Sequence, residues 1–414
     1  QPGKNGWTSS PPLFGSYGQT SPTGPLDLRN TVSELVMGKQ WSVVSGRWSV
    51  VGWIVGAAIV AACRDDDVRC DLPENPSAFV VVTDFETGAF SLLDVESRYA
   101  APNCGLLHSD AVARVRGDRV YVLNRLGADN LTVLDAAAGF RPAYQVSTGP
   151  RSNPQDIAFA SDAKAYVTRL GERSALVVDP RDGSRLGEVD CSAMADADGF
   201  PEIAGAIEAG GRVVLAAQRL DRNDLLRPTG PGALAIVDPE TDRIERVVEL
   251  RGANPYGDMA LDADGRLLVA VVGRFGEVDG GIERVDLAAG ASLGLAIREE
   301  TLGGDVSSFA VGPGGVLWVV VSEPGFSTAV VRFDPSDGSV RRVAASPGFV
   351  HSCVEFVADG VVAVCDRTRT APGVRLFDAA SGSEITRAAI PVGLPPWQIR
   401  RLPSVMRPTP LPGR

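Results

Sequence analysis

From Phe79 onward the apolar positions fall into short runs broken by Gly, Pro and Asp. In "AYVTR" (Ala165–Arg169) and "ALVVD" (Ala175–Asp179) β-branched residues alternate with a period of two, as they do along a pleated strand. The segment "DIAFASDAKAYVTRLGERSALVVDPRDGSRLGEVD" (Asp156–Asp190) shows the whole unit. It reads as strand, hairpin, strand, loop, a third strand ending in Asp, a turn and a fourth strand. The "DPRDG" turn has Pro to preset φ, Asp to bond its own backbone and Gly to take a positive φ. The Asp that ends the third strand recurs at Asp94, Asp135, Asp179, Asp238, Asp286, Asp334 and Asp378. One unit of this length cannot bury both faces of its sheet, whereas seven around an axis bury one another.

First strands are legible at Asp110, Asp156, Glu202, Asp258, Ser308 and Cys353. The seventh is missing before Phe79, where "FVVVTDF" already reads as a second strand. It reappears as "WQIRRL" (Trp397–Leu402) at the far end. The predicted fold is therefore all-β: a seven-bladed β-propeller over 79–402, closed by a C-terminal strand in the first blade, which removes the free sheet edge. Residues 403–414 read as a Pro-rich tail. "AYVTR", "YVLN" (Tyr121–Asn124), "NPQDIAF" (Asn153–Phe159) and the "VVDP…G" turns resemble the repeats of YVTN-type, YncE-like β-propeller proteins. That resemblance implies an exported binding or surface protein and no particular reaction, because fold alone does not carry activity.

The longest apolar run lies upstream of the repeats. Val50–Ala62 is shorter than the roughly 20 residues a spanning helix needs. With Lys39 and Arg47 before it and Ala61 and Ala62 at its end, 37–62 reads as an export signal opening at Met37. "VAAC" (Val60–Cys63) resembles the lipobox of bacterial lipoproteins, which implies cleavage before Cys63 and its lipidation. Arg64 in the next position resembles the outer-membrane sorting pattern. Residues 1–36, rich in Ser, Pro and Gly, are read as an upstream or disordered segment, and 63–78 as a tether.

The chain carries 40 Lys and Arg against 51 Asp and Glu, a net charge of −11. The first 62 residues hold four of the bases and two of the acids, so the remainder is more acidic still. Such a surface repels phosphate backbones, which excludes nucleic acid as a partner, and it has no polybasic patch for anionic lipid. Membrane attachment is thus expected through the lipid, on a monomer.

Loops before first strands and between second and third strands open on one face, around the channel mouth. Acids begin four first strands (Asp110, Asp156, Glu202, Asp258) and arginines end the matching second strands (Arg125, Arg169, Arg219, Arg274). Each acid is expected to face its own arginine as a structural rim pair. Elsewhere the device lapses: Ser308 with Glu323, Cys353 with Arg367, and Gln398 with Asp84 make a contiguous atypical sector. The two histidines, His108 and His351, fall at one repeat position, which holds Phe200, Tyr256 and Pro396 in other blades, with Trp397 adjacent to it in the closing blade. Together His108, His351, Tyr256, Trp397, Gln398, Ser308, Glu323 and Arg367 form the candidate ligand site, suited to a flat or sugar-like molecule. The long loop Arg219–Ala233 is a further recognition element or a tolerated insertion.

No residues are spaced to ligate a metal and no cofactor is called for. Calcium at Asp196 and Asp198 of "DADGF" is the one ion the residues could take, whereas "DADGR" (Asp262–Arg266) sits where a hairpin turn belongs. Cys353 and Cys365 lie symmetrically about the Asp359–Gly360 hairpin, within disulfide reach. Cys70 with Cys104 is one pairing of the rest and leaves Cys191 free. No G-x-S-x-G, H-E-x-x-H, P-loop or C-x-x-C-H sequence occurs. The expected function is a membrane-anchored binding scaffold for a protein or small molecule at the cell envelope. The alternative is a propeller enzyme using the same mouth: a lactonase-like or metal-assisted hydrolase, or a quinone-dependent dehydrogenase.

Overall fold

The computed structural model describes residues 70–403. The 1–36 segment, the stretch 37–62 read as an export signal, Cys63 and the tail from 404 lie outside the described residues. Seven antiparallel sheets follow one another along the chain, and a two-stranded hairpin, Leu220–Asp221 with Arg227–Pro228, sits on the fourth. The first blade has the order Pro396–Arg401, Ala78–Thr83, Gly88–Asp94, Tyr99–Leu107. Its innermost strand thus comes from the C-terminus, with Val80 opposite Ile399 and Val81 opposite Gln398. Blades two to six each use four consecutive main strands. In the seventh, three regular strands are completed only by the bridges Val374–Ile390 and Phe377–Glu384. This is a seven-bladed β-propeller.

The period-two pattern supplies the packing. In Ala78–Thr83, Ala78, Val80 and Val82 face blade seven, while Phe79 and Val81 face blade two. Both sets are buried, because alternate side chains leave opposite faces of a strand and each face meets a neighbouring sheet. Seven apolar clusters result, one in each blade-to-blade interface. Each fully buried Val, Leu or Phe stabilises such an interface by roughly 1.5–3 kcal/mol.

The recurrent aspartates are turn devices. Asp94 accepts from the backbone N–H of Glu96, Asp135 from Ala137, Asp179 from Arg181, Asp238 from Glu240, Asp334 from Ser336 and Asp378 from Ser381. An Asp carboxylate satisfies the turn's donors and so sets where the third strand ends. Asp262 does the same for Asp264 and Arg266 in the fifth-blade hairpin, as the turn reading of "DADGR" expects.

Candidate functional site

First strands lie nearest the axis, and their central side chains meet across it. Arg114 (blade two) forks onto Asp156 (blade three), with Nε to Oδ1 at 2.6 Å and Nη2 to Oδ2 at 2.7 Å. The same Nη2 donates to Asp258 Oδ1 of blade five at 2.7 Å. Arg400, on the closing strand, grips Asp258 through Nη1 at 2.6 Å and Nη2 at 2.9 Å, and its Nη1 lies 3.5 Å from Glu355 Oε2 of blade seven. Its Nε donates to the Ala113 carbonyl. Burial alone would raise the Asp258 carboxyl, but the fields of Arg114 and Arg400 outweigh it and hold that group far below the carboxylate range. Burial dominates at Glu355, whose carboxyl rises despite Arg400. At Arg114, burial is outweighed by Asp156 and Asp258, so the guanidinium is locked in its charged form.

This plug is the floor of a cavity of about 460 Å³ that opens on the mouth face. One wall is hydroxyl and amide: Ser307 and Ser308 from blade six, Ser352 from blade seven and Gln398 from the closing strand. Gln398 Oε1 accepts the Ala113 N–H at 2.7 Å, leaving its amide nitrogen without a protein partner among the described residues. Ser352 donates to the carbonyls of Pro396 and Trp397. Gln218 and Asn254, bonded to each other at 2.8 Å, stand opposite. The rim is apolar: Tyr256 meets Phe275 edge-on at 5.2 Å, Trp397 meets Phe85 at 5.5 Å, and Leu225 and Leu226 complete it from the long blade-four loop. Gly257, at φ 71°, makes the bulge that separates Tyr256 at the rim from Asp258 at the floor.

Of the eight candidate residues, Tyr256, Trp397, Gln398 and Ser308 line this cavity and four do not. His108 turns its ring back on its own corner and accepts the Asp110 N–H through Nδ1. His351 is buried against Thr328, with Nδ1 3.1 Å from the hydroxyl, and burial lowers its basicity. Glu323 is held by Arg342 and Ser327. Arg367 braces the closing strand by donating to the carbonyls of Thr83, Pro395 and Pro396 beneath Phe85 and Trp397. Burial pushes this guanidinium down to about 10.

The in-blade rim pairing holds once. Arg125 meets Asp110. The other three are corrected: Asp156 meets Arg114 while Arg169 meets Glu188, Glu202 meets Arg222 while Arg219 meets Glu249, and Asp258 meets Arg114 and Arg400 while Arg274 lies by Glu277. Asp156 and Asp258 lie inside their first strands and point at the axis, so they pair with arginines of other blades, whereas Glu202 precedes its strand and is taken by Arg222 of its own blade's long loop. Arg114, Glu355 and Arg400 were missed. Their signal is a charge in the middle of an otherwise apolar first strand, as in "AVARV", "CVEFV" and "WQIRRL".

Asp196, Asp198 and Glu202 bring carboxylate oxygens within 4.8 Å of one another. They fasten the long loop: Asp198 accepts the Arg222 N–H, Glu202 accepts from Leu220 N–H and Arg222 Nε, and Asp196 accepts from Thr229. Arg222 also lies 3.6 Å over the Phe200 ring. The Arg222 guanidinium thus ion-pairs with Glu202, the buried member of the three. Cys353 is joined to Cys365 and Cys70 to Cys104, while Cys191 is buried as a free thiol whose ionisation is pushed up to about 12. Among the described residues no helix is long and apolar enough to cross a membrane.

No protein-family model matches the chain, and no curated protein matches it in sequence. Solved structures do match in fold. A 6-phosphogluconolactonase-like protein from Bacteroides uniformis aligns with a TM-score of 0.53 at 12% identity, over 80% of this chain and 100% of its own. The dihydro-heme d1 dehydrogenase NirN aligns at 0.50 with 18% identity, over 80% of this chain and 77% of its own. Apo AztD from Citrobacter koseri aligns at 0.50 with 12% identity, over 79% and 98%. At these identities the likeness is one of fold, and what it establishes is a β-propeller.

Proposed function

We propose that the chain is an exported lipoprotein, anchored through Cys63 at the cell envelope, whose propeller binds a small hydroxyl-bearing, sugar-like molecule in the channel mouth. One observation carries the binding reading: an ion-paired floor closes the axis beneath a wall of Ser and Gln groups and an aromatic rim. Hydroxyls of a ligand would meet Ser308 and Gln398, and a ring face would lie on Tyr256 or Trp397. The hydrolase alternative needs carboxylates free to hold a divalent ion or take a proton. Asp156, Asp258 and Glu202 are each gripped by arginine instead, which favours a binding role.

The test is calorimetric titration of the purified chain with a panel of neutral mono- and disaccharides and sugar acids. A member of the panel should bind, and Gln398→Leu and Ser308→Ala should each weaken it by about tenfold, the weight of one or two hydrogen bonds. Binding that survives both substitutions would place the site elsewhere. A stoichiometric, tightly held metal in the same preparation would favour the hydrolase. Mass spectrometry of the mature N-terminus from the native host tests the anchor, which an unacylated Cys63 would refute.

A further inference from the structure

Loops joining second to third strands all open on the mouth face, and in five of seven blades the loop tip is a large apolar side chain in water. These are Phe85, Leu126, the pair Leu225 and Leu226, Phe275 and Phe326, with exposures of 50% to 81%. Five of the six also take a left-handed backbone: φ is 71° at Phe85, 42° at Leu126, 53° and 56° at Leu225 and Leu226, and 67° at Phe326. Bulky non-glycine residues seldom accept that conformation. Isolated exposed apolar residues are ordinary. A repeat of them at one structural position, on one face, is not. On the opposite face Tyr99, Leu186 and Leu261 are each less than half exposed.

We propose that the mouth face docks on a lipid bilayer, with these loop tips in the interfacial layer and the cavity opening onto the head groups. Two observations choose this occupant, and the proposed anchor agrees with them. Polarity is arranged opposite to a protein interface, which has an apolar centre and a polar rim. Here a charged, hydroxyl-lined hollow is ringed by separate apolar tips, a layout that suits a fluid surface able to close round each tip. Charge is the second. The loops between second and third strands hold nine acids and eight arginines, whereas the whole chain has 51 acids and 40 bases. The tip-bearing loops are thus nearly neutral on a strongly acidic body and hold no lysine, so a zwitterionic surface accepts the tips without a polybasic patch, while the acids of the loops before first strands lie around the hollow.

The anchor proposed above agrees with this docking. Cys70 is bonded to Cys104, which stands near the mouth end of the outermost strand of blade one, one residue from Gly105 opposite Phe90. Cys63 lies seven residues upstream, an extended reach of at most about 25 Å. A lipid there, as proposed above, would leave this face free to meet the membrane. Docking itself does not depend on what the cavity binds. Only the suggestion that a lipid-borne head group reaches the cavity rests on the mouth reading.

The experiment uses the full chain and phosphatidylcholine vesicles with brominated acyl chains, which quench tryptophan on contact. Phe275→Trp and Phe326→Trp report the mouth face, and Leu186→Trp the opposite one. The emission added at 275 and 326 should fall by more than half with vesicles, that at 186 should be unchanged, and raising the salt should alter neither. The double variant F275S/F326S should melt where the wild type does and bind vesicles about tenfold more weakly or worse. Quenching absent at 275 and 326, or equal at 186, overturns the proposal whether or not another segment holds the chain to the vesicle. A lipid-free dimer abolished by Phe326→Ser assigns the face to a second copy and also overturns it. Sugar titration needs no vesicles, so failure of either idea leaves the other standing.

Discussion

Arg114 and Asp258 stand 2.7 Å apart although three blade-to-blade interfaces separate their strands around the ring. A contact of that kind can form only across the axis. It therefore ties the circle along a chord, where the apolar interfaces tie it along the circumference. Removing Asp258 leaves Arg114 without one of its two acids and Arg400 facing only Glu355 at 3.5 Å, so two buried guanidiniums lose the carboxylate that they share. Asp258→Ala should cost about 3–5 kcal/mol of unfolding free energy, read by urea denaturation. A cost below about 1 kcal/mol would mean that water, not the arginines, solvates this carboxylate.

Closure should be as consequential as the plug. A chain ending at Pro395 loses the strand Pro396–Arg401, which uncovers the edge of Ala78–Thr83 and removes Arg400 from the axis. Loss of a single cooperative transition, together with concentration-dependent aggregation from the bare edge, is the expected outcome in calorimetry and light scattering. Unchanged melting of the truncated chain would show that the ring does not need its clasp.

The repeat, the turn aspartates and the closing strand were legible because each is local: a period of two, a carboxylate beside its own turn, an apolar run left without a partner. The cavity was half legible. Tyr256, Trp397, Gln398 and Ser308 follow from counting positions in the repeat, and so do His108 and His351, which the same counting misplaced. Repeat position says which face a residue is near, but rotamer and local bonding decide whether it points in: His351 turns to Thr328 and His108 to Asp110. The plug was illegible for a different reason. Arg114 and Asp258 are 144 residues apart, and nothing in either strand names its partner across the ring.

The Cys353–Cys365 bridge joins the innermost strand of blade seven to its neighbour, with Cys353 in the cavity wall. Blade seven lacks a regular outer strand, so the bridge supports the least reinforced sheet in the ring. Replacing both cysteines by alanine should lower stability by about 2–3 kcal/mol, as expected for a short closed loop. The sugar affinity proposed for the mouth should fall with it, because Ser352 shares the loosened strand. Equal stability with and without the bridge in urea melts would contradict this.

Acidity should have a two-sided effect, set by Glu299 and His351. Glu299 opens a short helix and holds the Phe275 loop to blade six, its oxygens accepting from Gly280 N–H at 2.9 Å and Val306 N–H at 3.0 Å. Burial, helped by Asp305 and Asp279 nearby, pushes this carboxyl up to about 7. A raised folded pKa means that the group's contribution is complete below its unfolded value near 4.5 and is lost as pH rises through 7. His351 works the other way. Burial lowers its folded pKa below 6.5, so its contribution is present above that value and is lost as pH falls through the lowered one. Between pH 6 and 8 Glu299 alone should therefore lower stability by about 1.4 kcal/mol, roughly one pKa unit's worth, and His351 should offset part of that fall. Glu299→Gln should be less stable at pH 5, since an amide nitrogen cannot accept one of the two N–H groups, yet should show no decline between pH 6 and 8, where His351 alone would raise it slightly. Melting curves of the two proteins at pH 5, 6 and 8 decide it: a decline of equal size in the variant would put the titrating group elsewhere.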